Sequence, residues 1–206
     1  NGQQLEMLLV WSEFTGEANG WDIVGVRVSP AGYSQGSPKL LVTGPGDQQH
    51  PDVAIQATER ADNTDYILVY DDNERDLDRI MARKIRFNGI PNGKPYQVFA
   101  GETWNATDPT TNGSAVAWVD DRGDTTEIYS IRLRNGLPYG KDDRLAGTED
   151  DDFNPNYGSG GLVWNVYDPA TANDIVGLEV YDNTRTRGPT FGIRVPPANQ
   201  SWPILV

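Results

Sequence analysis

Asp71-Asp72-Asn73-Glu74-Arg75-Asp76-Leu77-Asp78 crowds oxygen donors into one short segment. Ca²⁺ takes about six to eight oxygen ligands in adaptable geometry, which makes Asp72, Glu74, Asp76 and Asp78 candidate ligands. The run lacks the glycine and closing glutamate of an EF-hand loop, and a solvated turn with Arg75 or Arg79 as counter-ion is the simpler account. Glu149-Asp150-Asp151-Asp152 is a second acidic run. None of these residues requires a cofactor; Ca²⁺ is the one the sequence admits.

Catalytic constellations are thin. His50 is the single histidine, just ahead of Pro51 in what reads as a loop. A histidine that activates a nucleophile needs a serine and an aspartate delivered by the fold, and the sequence marks no such set. Paired carboxylates hydrolyse glycosides, but among 30 acidic residues pairs arise by chance. With no cysteine, disulfides, zinc–thiolate sites and thiol nucleophiles are excluded. The expectation is a chain that is not an enzyme.

Binding residues are more plentiful. Trp21, Trp104 and Trp202 lie in or near loops, where an aromatic face stacks on sugars or packs between sheets. Asn105, Asn112 and Asn199 head N-x-S/T sequons and are candidate glycosylation sites. An Asx residue stands four places before each of four prolines: Asp47, Asn105, Asp151 and Asn199. Such a side chain either caps its own turn or joins a ring of polar groups on one face of the molecule.

Charge narrows the partners. The chain carries a formal charge of −13 and an isoelectric point near 4.4. Phosphate backbones need clustered cations, so nucleic acid is not an expected partner, and the same field repels anionic lipid. The longest apolar runs, such as Met7–Trp11, are strand-sized, so no membrane insertion is expected.

The elements that must position these residues repeat. An aromatic closes an apolar run at Trp11, Tyr70, Trp118 and Trp164. A polar–Ile step follows at Asp22-Ile23, Arg79-Ile80, Glu127-Ile128 and Asp174-Ile175. A turn glycine comes next at Gly36, Gly93, Gly140 and Gly188, and then a proline at Pro51, Pro109, Pro155 and Pro203. The spacing is roughly 48 residues, in the range of one propeller blade. The first interval is longer because residues 56–66 insert about ten residues, polar enough for an extended hairpin loop.

Each unit reads as four strands, with Asn-Gly turns at Asn88-Gly89 and Asn135-Gly136 supplying the positive φ of a hairpin. The expected fold is all-β: a four-bladed β-propeller of four-stranded antiparallel blades. It occupies 1–206 as one domain, with units near 5–51, 52–109, 110–155 and 156–203. Residues 202–206 are expected to supply the inner strand of the first blade. Pro203, Ile204, Leu205 and Val206 then pair beside Leu5, Met7, Leu9 and Trp11, within one chain or between copies, and remove the exposed edge. Arg83 stands where other copies carry Val26, Ile131 and Leu178, an unexplained break in an apolar face.

Trp11-Ser12-Glu13, Trp118-Val119-Asp120, Asp120-Asp121-Arg122-Gly123, Glu127-Ile128-Tyr129 and Asp174-Ile175-Val176-Gly177 resemble the W-x-D-x-R…D-I-Y propeller repeats of bacterial secreted and surface proteins. The resemblance implies the fold and an extracellular or cell-surface setting, and no particular activity. Tyr70 in place of Trp, Arg79 in place of an acid and Asn165-Val166 in place of the acidic step depart from the pattern.

The expected function is a rigid, non-catalytic structural, assembly or adhesion module, able to polymerise by strand exchange at its termini. Its expected partners are other copies of itself or a surface or matrix component. A lectin-like, glycan-binding propeller is the alternative, and a glycoside-acting hydrolase the third reading.

Overall fold

β-branched and aromatic residues alternate with polar ones along most of the chain, and short Gly- and Asn-bearing turns interrupt them. That pattern favours half-buried antiparallel strands. A computed structural model of the protein describes residues 7–17, 20–56, 65–74, 77–145, 150–158, 160–168, 172–180, 187–193 and 203–204.

Among the described residues, fifteen strands form four antiparallel sheets. The first sheet contains β1 (Met7–Gly16), β2 (Gly20–Val28) and β3 (Lys39–Val42). The second runs β4 (Gln48–Ile55), β5 (Asp65–Asp72), β6 (Arg79–Arg86) and β7 (Pro91–Phe99). The third is built of β8 (Ala106–Thr111), β9 (Ala115–Asp120), β10 (Glu127–Arg134) and β11 (Leu137–Arg144). The fourth comprises β12 (Asp151–Tyr157), β13 (Gly161–Asp168), β14 (Ala172–Val180) and β15 (Arg187–Ile193).

One register runs through all four. Trp11 lies opposite Val24, Tyr70 opposite Met81, Trp118 opposite Tyr129 and Trp164 opposite Val176. β1 is therefore the counterpart of β5, β9 and β13, the second strands of the other sheets. The three first strands begin earlier than their prolines suggest and carry a bulge at each one. Register shifts at Gln49/Asp52, Thr107/Thr110 and Phe153/Asn156, where His50, Asp108 and Asn154 take positive φ of 46°, 49° and 51°. Left-handed backbone is eased by Asn and Asp and costs about 1–3 kcal/mol at ordinary residues.

Strand alternation builds the core between consecutive sheets. Tyr66, Leu68 and Tyr70 of β5 pack with Leu8, Ile23, Leu41 and Val42 of the first sheet. Their neighbours Ile67 and Val69 turn the other way, onto Ala106, Val116 and Trp118 of the third. Ala115, Ala117 and Val119 of β9 then meet Leu162, Trp164 and Val166 of the fourth. Among the described residues, no such cluster joins the fourth sheet to the first.

Arg83 now has an explanation. Its guanidinium donates to the Leu41 carbonyl of the first sheet and, at 2.9–3.1 Å, to that of Gly93 in its own, tying two edges together. The turn at Asn135-Gly136 has positive φ at both residues, as expected, and Lys84 Nζ reaches the Asn135 carbonyl across the sheet boundary.

The expected closing pair of strands is not formed among the described residues. Among these residues the first sheet has three strands, Pro203 and Ile204 lie outside every strand, and Ile204 is 75% exposed. The described residues thus form a series of four packed sheets without a closed ring. Leu5, Leu205, Val206 and residues 57–64 of the insertion lie outside the described residues.

Candidate functional site

The bulges aim side chains into the junctions between sheets. At the junction of the second and third, His50 of β4 meets Asp71 of β5 and Asp108 of β8. His50 Nδ1 lies 2.7 Å from Asp71 Oδ2 and 3.4 Å from Asp108 Oδ1, and the Asp108 amide donates to the same Asp71 oxygen at 3.1 Å. Asp71 is buried, whereas the His50 side chain is half exposed. A cavity of about 180 Å³ opens beside them, lined by Asp47, Gln49, His50, Asp71, Asn73, Asp78 and Thr107.

Electrostatics follow from that crowding. The hydrogen bond to Asp71, reinforced by the charges of Asp71, Asp108 and Asp78, raises the His50 pKa to about 9. Burial pushes the Asp108 and Asp78 carboxyls up, and Asp71 adds to both shifts. At neutral pH a protonated His50 is therefore the counter-ion of an otherwise acidic pocket. The imidazole nitrogen and two carboxylate oxygens lie within 4.8 Å of one another, close enough to share a divalent cation once the proton has left.

The sequence pointed elsewhere in the same neighbourhood. Of the four candidate calcium ligands, Asp72 and Glu74 both face Arg79, at 3.4 and 2.6 Å. Asp76 lies outside the described residues, and only Asp78 lines the cavity. In the second acidic run, Asp151 accepts from Thr126, and Asp152 accepts from Trp164 Nε1 at 2.9 Å. His50 sits in a strand rather than a loop. The signal for its cluster was in the repeat: His50 and Asp108 share the place before the landmark proline, and Asp71 follows a landmark aromatic.

The Asx residues perform a task that local turn chemistry would not give them. Asp47 Oδ1 accepts from the Trp21 amide at 3.1 Å, Asn105 Oδ1 from Asp78 at 3.1 Å, and Asp151 Oδ1 from Thr126 at 2.9 Å. Each donor opens the polar–Ile strand of the preceding sheet, so each Asx side chain staples one sheet to the next. Asn199 lies outside the described residues. Asn105 also donates its Nδ2, the atom a glycan would occupy, to Asp121 at 3.1 Å. Asn112 closes an Asx turn onto the amides of Ser114 and Ala115.

The aromatics divide. Trp21 stays partly exposed with its ring edge against Phe14. Trp104 turns its indole nitrogen inward, without a hydrogen-bond partner, beside the Arg122 guanidinium. Trp202 lies outside the described residues. Arg122 itself clamps Asp120 and Asp142 at 2.6 and 2.8 Å and lies 3.7 Å over the Tyr129 ring.

The strand β1, at the inner edge of the first sheet, is less covered than its counterparts. Tyr70, Trp118 and Trp164 are each covered almost completely, whereas their counterpart Trp11 is only half-buried. Met7 and Leu9, which share its face, are 55% and 56% exposed. On the fourth sheet Tyr167, Phe191 and Ile193 are likewise exposed.

No family model matches the sequence, and no curated protein does. Among solved structures, the chain is similar to a puromycin-hydrolyzing peptidase of Mycobacterium tuberculosis, at 15% identity and a TM-score of 0.48. The match covers 89% of this chain and 28% of that one. The expectation that the chain is not an enzyme is corrected by this finding, because the similar chain is a hydrolase. A likeness this distant assigns no activity here.

Proposed function

We propose that the chain is an extracellular four-bladed β-propeller module, a rigid building or adhesion unit that joins its partner through the edge of β1. One observation carries this reading. β1 keeps the register of three strands that each have an inner neighbour, yet its own inner edge has none among the described residues. An unpaired strand edge beside exposed Met7 and Leu9 is a template for another strand. The extracellular setting rests on the resemblance of the repeats to those of bacterial secreted and surface proteins.

The three inter-sheet cores and the Asx staples fit a load-bearing module, since they lock each sheet to its neighbour with both apolar and directional contacts. Replacing Met7 and Leu9 with glutamate tests the proposal by light scattering and negative-stain microscopy of the full chain. The wild type is expected to form regular assemblies and the double variant to stay small. Both positions are exposed, so the cost to the fold should be within about 0.5 kcal/mol per site. Equal particle mass for the two proteins would refute the reading.

A further inference from the structure

The open edge of β1 has a specific complement. In three sheets the residue after the landmark proline pairs with the residue before the landmark aromatic: Asp52 with Val69, Thr110 with Ala117 and Asn156 with Val163. Three places before the proline, a second pairing recurs: Gln48 with Asp72, Ala106 with Asp120 and Asp152 with Val166. The segment Asn199-Gln200-Ser201-Trp202-Pro203-Ile204-Leu205-Val206 carries the same frame, with its Asx four places before its proline. Laid onto β1, it sets Ile204 opposite Val10 and Gln200 opposite Glu13.

We infer that the inner edge of β1 accepts residues 199–206 of a second copy of this chain, in the register Ile204–Val10, so that copies join head to tail. This rests on the reading of the chain as an assembly module and names its partner. Two further observations favour it. In the single chain, Ile204 lies outside every strand and stays exposed. The faces at the two ends of the sheet series, Met7 and Leu9 at one and Tyr167, Phe191 and Ile193 at the other, are both apolar and uncovered. A strand that leaves the fourth sheet of one copy for the first sheet of the next would bring such faces together. The contact is heterologous, so it propagates rather than stopping at a dimer.

The complement is also chemically sound. Ile204, Leu205 and Val206 are β-formers of the kind that fill the inner positions of a sheet. Ile204 falls opposite Val10, which already packs on the cluster between the first two sheets. The equivalence also places Asn199 to cap the amide of Asn173, as Asp47, Asn105 and Asp151 cap Trp21, Asp78 and Thr126.

Because the chain contains no cysteine, one introduced pair reports the register without background. The full-length variant Val10→Cys/Ile204→Cys is oxidised and run on a non-reducing gel, with light scattering on the same sample. A ladder of covalent multimers, collapsing to one band on reduction, is the expected result. Assemblies that form without bridging would overturn the register and the occupant while leaving the assembly reading intact. Bridged monomers without assemblies would overturn both, because the segment would then close on its own chain. As an internal control, chains bearing only Val10→Cys and chains bearing only Ile204→Cys are mixed. They are expected to give one covalent dimer, and a mixture that yields none would count against the inference.

Discussion

At the scale of single residues, the fourth sheet shows how one side chain is replaced by another from a different strand. Trp118 donates its Nε1 to Asp120 two places along its own strand, as Trp11 does to Glu13. Trp164 has Val166 at that place, and its acceptor is Asp152 from the adjacent strand β12. The exchange leaves Asp152 fully buried with Oδ2 unpaired, and burial raises its pKa to about 7. A carboxyl whose folded pKa is raised favours the fold most below its ordinary value near 3.8, and that contribution is lost as pH rises through about 7. Asp152→Asn keeps the acceptor for Trp164 and removes the charge. It is expected to raise the melting temperature by about 2–4 °C at pH 8 and much less at pH 5; a shift independent of pH would contradict the assignment. The His50 cluster has its own pH signature. A divalent cation shared by His50, Asp71 and Asp108 must displace the imidazole proton, so Mn²⁺ is expected to stabilise the protein more near pH 9.5 than near pH 6. Asp71→Asn should abolish that difference, and equal shifts at both pH values would place any bound ion elsewhere.

At the scale of elements, the staples between sheets are the main discovery of the fold. Each of Asp47, Asn105 and Asp151 spans two sheets through one hydrogen bond to a backbone amide. Removing such an acceptor costs one hydrogen bond at a sheet junction, a loss of about 0.5–1.5 kcal/mol. Urea denaturation of Asp47→Ala and Asp151→Ala is expected to show that loss, and Asn105→Ala a larger one, since the Asn105 side chain also donates its Nδ2 to Asp121. Loss of less than about 0.3 kcal/mol at all three sites would reduce the staples to incidental contacts. Much of this architecture was legible in the sequence. The aromatic and polar–Ile landmarks fell on equivalent positions in all four sheets, and Pro51, Pro109 and Pro155 did so in three, because a period-two pattern with regular turns survives any reading of one strand at a time. Three things were not legible. The inner strands start ahead of their prolines because the bulge lets pairing resume beyond it, which no alternation pattern reveals. The partner of each Asx lies in a different sheet, so the sequence shows the residue but not its acceptor role. Arg83 looked like a flaw in an apolar face because its carbonyl partners, Leu41 and Gly93, are brought to it only by the packing of two sheets.

At the scale of the whole molecule, the sign of the salt effect separates two ways of joining copies. Every copy carries a formal charge of −13, so neighbours repel, and that repulsion is screened over about 10 Å at 0.1 M salt. The joint itself is apolar on both sides: Met7 and Leu9 on one copy, and Ile204, Leu205 and Val206 on the other. A joint held by strand pairing and apolar contact, opposed only by net charge, strengthens as salt is added. A joint held by ion pairs weakens. The Trp202 position adds a second, independent lever. In the equivalent places His50, Asp108 and Asn154 adopt positive φ, a conformation that a bulky tryptophan resists and asparagine accepts. Trp202→Asn is therefore expected to lower the protein concentration at which assemblies appear, and salt raised from about 0.01 to 0.3 M to lower it further in both proteins. Sedimentation across a concentration series reads both effects at once. Assemblies that dissolve with salt would show that charge complementarity, rather than a donated strand, holds the copies together.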